Sequence, residues 1–148
     1  MQHATATSPA PGEVLITVLG RDDDGTPNQA LIEEVEALVN GDNVRPLTDR
    51  VTVAGAMVTH FDIAARLWIY AGPDRNLILS TARAALDDYL ATTRRLGRDI
   101  PLSAITAALF VGGVQRVEIV SPTADLVFDE TGTGFVDTID IQIAGRAE

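Results

Sequence analysis

Between residues 58 and 71 the chain alternates with a period of two for longer than most strands last. Phe61, Ile63, Ala65, Leu67 and Ile69 fall on one side, and His60, Asp62, Ala64, Arg66, Trp68 and Tyr70 on the other. An extended strand sorts residues in this way, and its apolar side has to be covered by a second layer. At ~3.3 Å per residue the run is about 45 Å long, so a bend or bulge near Ala64-Ala65 is expected.

The rest of the chain supplies the layers. Residues 1–12 are small, polar and Pro-containing and read as a flexible lead-in. Val14, Leu15, Ile16, Val18 and Leu19 make an almost unbroken apolar run over 13–20, as in a strand covered on both faces. After the turn Gly20 to Gly25, Thr26 is placed to cap a helix that has Pro27 at its first position. Leu31, Val35, Leu38 and Val39 form that helix's apolar stripe, and Asn40-Gly41 ends it. A short strand, Val51 to Val53, follows; strand–helix–strand at this length predicts a crossover between parallel strands.

Gly55-Ala56 separates a second unit. Beyond the long strand comes a helix over about 74–96, with Ile78, Ala82, Ala85, Leu86 and Tyr89 inward, Arg94 and Arg95 in its last turn and Gly97 closing it. Pro101 to Val111 reads as a third helix, apolar nearly all round, stopped by Gly112-Gly113. Strands are expected at Val114 to Val120, Asp125 to Phe128 and Val136 to Ala144, with Thr131-Gly-Thr-Gly134 as the turn joining the last two. The fold class is therefore α+β, with three helices on mixed sheets. A strand–helix–strand unit over 13–56 precedes a strand–helix–helix–strand–strand unit over 57–148.

Charge and composition exclude several functions. A net charge of −10 argues against binding a phosphate backbone, which needs a basic footprint. The absence of Cys removes disulfides, zinc–thiolate sites and thiol chemistry together. No apolar run approaches the ~18 residues of a membrane-spanning helix, and the first residues lack the apolar core of a signal peptide. All eleven basic residues are Arg, which is read as coding bias more than as chemistry.

Candidate chemistry is sparse. Asp22-Asp-Asp24 invites a calcium loop, but the positions that would need an acid hold Gly20 and Leu31, and a solvated turn accounts for it. Thr131-Gly-Thr-Gly134 lacks the following Lys of a phosphate loop and precedes a strand. His3 lies in the lead-in; His60 shares a strand face with Asp62, a pair that could orient a base, yet no nucleophile accompanies it. Asp87 and Asp88 point apart on their helix, and Asp129-Glu130 also reads as a wet acidic pair. No catalytic, metal or cofactor-binding residue is assigned. What stands out is Arg66, Trp68 and Tyr70 on one strand face, residue types enriched at binding hot spots, together with Phe110 on the apolar third helix. The alternative for this stripe is a second packing layer with Trp68 under a helix.

Several short segments, in order, resemble the baseplate J-like family of contractile phage tails. They are Ser8-Pro-Ala-Pro-Gly-Glu13, Asp24-Gly-Thr-Pro27, Val44-Arg-Pro-Leu-Thr-Asp-Arg-Val51, Tyr70-Ala-Gly-Pro-Asp74, Arg95-Leu-Gly-Arg-Asp99, Gly113-Val-Gln-Arg-Val-Glu118 and Ser121-Pro-Thr-Ala-Asp125. Each alone is a turn or a strand entry, whereas the ordered set over about 120 residues is specific. The resemblance is to the C-terminal half of the family, with residues 1–12 as the remnant of a connection to a missing N-terminal half. It implies a structural subunit of the baseplate wedge, without cofactor or small-molecule substrate, located in the virion tail and assembled in the host cytoplasm. Its implied partners are other copies of itself, the protein I-like subunit and the sheath-initiating wedge component, with neither nucleic acid nor membrane among them. The rival expectations are a small tail-associated hydrolase and a free-standing protein-binding module.

Overall fold

The computed structural model describes residues 1–40 and 50–147. The chain divides into two units. The first holds Met1–Thr59, Arg95–Arg98 and Phe128–Phe135; the second holds His60–Arg94, Asp99–Val127 and Val136–Glu148.

In the first unit, β1 (His3–Thr7), β2 (Glu13–Leu19) and β3 (Arg50–Gly55) form a three-stranded sheet in that order. β2 and β3 are parallel, as the crossover pattern predicts, with Ile16 opposite Val53. β1 was not expected. Residues 3–7, read above as a flexible lead-in, pair antiparallel with β2 from His3 opposite Leu19 to Thr7 opposite Leu15. The segment is held by more than its ladder: Thr5 donates its hydroxyl to the Glu130 carbonyl at 2.6 Å, and His3 Nδ1 accepts the Leu96 N–H at 3.2 Å. Val18, Leu19, Val53 and Leu96 are buried and form this unit's core.

α1 (Gln29–Val39) packs on β3. Its cap is Asn28 and not Thr26: the Asn28 carboxamide oxygen accepts the Leu31 N–H at 2.8 Å. Thr26 is occupied otherwise, its N–H bonding Asp24 Oδ1 at 2.8 Å, so the helix starts two residues later than expected. Pro27 lies outside the helix, where its ring covers Gly55; a Cβ there would stand 3.2 Å from Pro27 Cγ. Of the expected stripe, Leu31, Val35 and Val39 are half-buried, while Leu38 is 65% exposed. Asn40 ends the helix by donating to the Glu36 carbonyl. The role expected of Gly41, and the segment Val44 to Asp49, lie outside the described residues.

The second unit is built on β4 (Met57–Tyr70), whose first residues Met57–Thr59 belong to the first unit. Its alternation is as read from the sequence, with Ile63, Ala65, Leu67 and Ile69 buried. The register against antiparallel β5 (Val114–Ser121) shifts between Ala64 and Ala65, where a bulge was expected, and again between Trp68 and Ile69. β6 (Gly132–Ala147) lies on the other side of β4, giving the order β5-β4-β6. His60 meets Asp137, Asp62 meets Thr138, and Trp68 lies against Gly145. Partner positions thus rise together, so β4 and β6 run in the same direction and the sheet is mixed.

α2 (Arg75–Thr92) is capped by Asp74, whose Oδ1 accepts the Asn76 N–H at 2.9 Å. Ile78, Ala82, Leu86 and Leu90 are its buried stripe, with Ala85 and Tyr89 half-buried. It stops at Thr92, earlier than expected, and the buried Thr93 closes it with both its N–H and its hydroxyl on the Leu90 carbonyl, at 3.1 and 2.8 Å. Arg94 and Arg95 therefore follow the helix instead of neutralising its last turn, and Gly97 sits in a separate turn with φ of 74°. α3 (Leu102–Leu109) buries Ile105 and Leu109 and packs against α2 and β5. Pro101 cannot cap it with a side chain; Asp125 does so from a distance, accepting the Leu102 N–H at 2.8 Å.

The segment 125–128, which carries that cap, is not the strand expected. Leu126 forms an isolated bridge with Ile100. The turn expected at Thr131 to Gly134 lies earlier as well. Asp129 accepts both the N–H and the hydroxyl of Thr131, at 2.9 and 2.6 Å, and its carbonyl accepts the Gly132 N–H, so β6 begins at Gly132.

Candidate interaction surface

With one side of β4 buried in the core, the other carries the residues of interest. Arg66 and Tyr70 are exposed and Trp68 is half-buried. Across the ladder Arg66 stands opposite Glu118 and Trp68 opposite Arg116. The Arg116 guanidinium lies 4.0 Å from the Trp68 ring centroid, close enough for cation–π attraction. Arg116 also reaches Glu118 at 3.3 Å, so the ladder ties aromatic, cation and carboxylate into one row. Trp68 is therefore roofed by an arginine instead of a helix.

Ala64, Ala65, Arg66, Val120, Asp140 and Gln142 line a shallow groove beside this row. Phe110 comes from another element. It is the residue that ends α3, donating its N–H to Ala107, and it is 52% exposed. Its loop reaches Tyr70 through the backbone bond from the Tyr70 N–H to the Gly113 carbonyl, 2.9 Å. Arg116 and Glu118 escaped the sequence reading. Their signal was the polar i, i+2 spacing in Val114 to Val120, which gains meaning only once that strand's partner is known.

The remaining candidates resolve into structural contacts. His60 Nδ1 lies 2.7 Å from Asp137 Oδ1, while Asp62, the partner its spacing suggested, accepts the Thr138 hydroxyl at 2.8 Å. Ser121, the hydroxyl close to Asp62, donates to its main-chain carbonyl. Asp24 caps Thr26, and Asp87 pairs with Arg83 one helical turn earlier. Among the described residues no three His, Asp or Glu side chains gather as metal ligands. None of the described helices is long and apolar enough to cross a membrane.

The chain is thus an α+β protein of two units, the second of which carries an aromatic and charged sheet face. It belongs to the baseplate J-like protein family: residues 61–142 match the C-terminal domain of that family and residues 2–55 its central domain. Over 144 residues it is 42% identical to baseplate protein J of Escherichia phage P2, an alignment that takes in 97% of this chain and 48% of that protein. The chain thus spans about half the length of the curated relative it matches.

Proposed function

We propose that this chain is a structural part of a contractile phage tail baseplate and works through protein–protein contacts, without catalysis. The observation that carries the reading is the pair of consecutive matches, to the central and C-terminal domains of baseplate J-like proteins. The likeness to baseplate protein J of a phage supports the same location, in the virion tail. Its partners are other baseplate subunits: copies of itself, the protein I-like subunit and the sheath-initiating wedge component, joined in the host cytoplasm.

The contact face is the row Arg66, Trp68 and Tyr70, with Phe110 as a separate apolar anchor. Accessible aromatics on a rigid strand suit this task, since a ring has few torsions to lose when it is covered, and arginine adds directional hydrogen bonds. A hydrolase would need an acid–base pair facing a bound substrate. His60 and Asp62, the one pairing suggested by sequence, are each engaged by a different residue of β6.

The test is affinity capture from cells making the corresponding tails, with the chain as bait and mass spectrometry as readout. Baseplate subunits recovered by the native chain, and lost with R66A or W68A at unchanged folding, support the reading. Recovery of the bait alone overturns it.

A further inference from the structure

Among the described residues β5 is an edge: in the order β5-β4-β6 it is paired on one side only, and an edge presents a row of unused N–H and C=O groups. Its register against β4 is regular from Arg116 to Ile119 and broken on either side, leaving Gln115 and Val120 without partners. Only the central window is straight enough to take another strand.

That window is its own complement. Arg116 and Glu118 share a side of the strand, with Val117 between them. In a second β5 brought up antiparallel and centred on Val117, the two Val117 residues meet at the axis. Arg116 of each copy then stands opposite Glu118 of the other. The match holds whichever way the backbone groups of Val117 point, because the residue at the axis forms either a hydrogen-bonded or a non-hydrogen-bonded pair, and antiparallel ladders contain both. Opposite charges placed directly across a ladder stabilise it, and like charges oppose it.

The apolar side agrees. Val117 and Ile119 lie across from the fully buried Leu67 and the buried Ala65, yet both are only half-buried themselves. A strand added at this edge covers them. Bulges, charges and proline are the usual defences of an edge, and the register shifts at either end of β5 confine pairing to the window 116–119. That window carries one charge of each sign, placed symmetrically about a valine.

We propose that β5 is a self-pairing edge: a second copy of this chain adds to it in the antiparallel register centred on Val117, joining two sheets into one. Self-contact is already part of the function proposed above; what is added is its surface and register, argued from the strand and its charges.

The experiment is sedimentation equilibrium of the whole chain, from micromolar to near-millimolar protein, with circular dichroism to confirm folding. The native chain is expected to approach twice the monomer mass. R116E and E118R each place like charges across the ladder twice, and each is expected to weaken association about tenfold or more. Mixed in equal amounts, the R116E and E118R chains complement one another and should recover the dimer. E118R keeps the arginine over Trp68, so its loss of pairing cannot be laid to a disturbed aromatic contact. A native chain that stays monomeric throughout, a dimer indifferent to both reversals, or a mixture that fails to associate would overturn the proposal.

Discussion

Trp68 and Arg116 face each other across the β4–β5 ladder, the guanidinium 4.0 Å from the ring centroid. The arrangement lets a strand carry a tryptophan outside its core. One ring face is covered by the cation, and the ring edge lies along the backbone at Gly145, where a Cβ would be 3.5 Å away. The indole is thus held in one orientation while part of it stays accessible.

The contact is measurable. R116A is expected to lower unfolding free energy by about 0.5–1 kcal/mol, the range for a cation–π pair at an exposed site. R116K should retain part of it, since the lysine charge remains but the planar stacking does not. A double-mutant cycle with W68L in urea isolates the term; an interaction energy near zero would count against the pair.

The start of α1 gives a second test because two caps compete for it. N28A removes the acceptor for the Leu31 N–H and is expected to cost about 1 kcal/mol. T26A removes a hydroxyl with no part in the Asn28 cap and should change stability by less than about 0.5 kcal/mol. Equal effects in thermal or chemical denaturation would mean that the helix begins at Thr26 after all.

Much of this architecture was legible because it follows from periodicity. The alternation of β4, the buried stripe of α2 and the parallel β2–β3 pair each depend on residues close in sequence. What was illegible depends on distant partners. β1 is a small, polar segment whose place is set by β2, by Leu96 and by Glu130. The segment 125–128 resembles a strand until Asp125 is seen capping a helix that begins more than twenty residues earlier. The surface was half legible: Arg66, Trp68 and Tyr70 could be placed on one face, but Arg116 and Glu118 join them only through a ladder no local pattern reveals.

Asp129 makes stability depend on pH. The Thr131 hydroxyl, and after it the Thr131 N–H, hold its carboxyl below the usual carboxylate value. A group depressed in the folded state stabilises fully above its unfolded pKa, and that contribution is lost as pH falls through the folded value. The stability gap between the native chain and D129A should therefore be constant at neutral pH and close below about pH 4. T131V, which removes the largest cause, brings the folded value closer to the unfolded one, so the loss should be smaller and complete at a higher pH. Unfolding midpoints measured in urea across an acid series would show it, and a gap that widened towards low pH would contradict the assignment.

Gly113 offers the sharpest structural test. It has φ of 92°, a conformation that residues with a Cβ rarely adopt, and its carbonyl receives the Tyr70 N–H where β4 ends. A Cβ there would lie 2.8 Å from Ile78 Cδ1, inside contact distance, and Ile78 is a buried member of the α2 stripe. G113A therefore meets backbone strain and a core clash together, and a loss of about 2–4 kcal/mol is expected. I78V removes the clashing methyl and alone should cost about 0.5–1.5 kcal/mol. If the clash is real, the double variant G113A/I78V will be more stable than the sum of the single losses allows, while the strain from φ remains. Strict additivity in chemical denaturation would leave only the backbone term and place Ile78 away from Gly113.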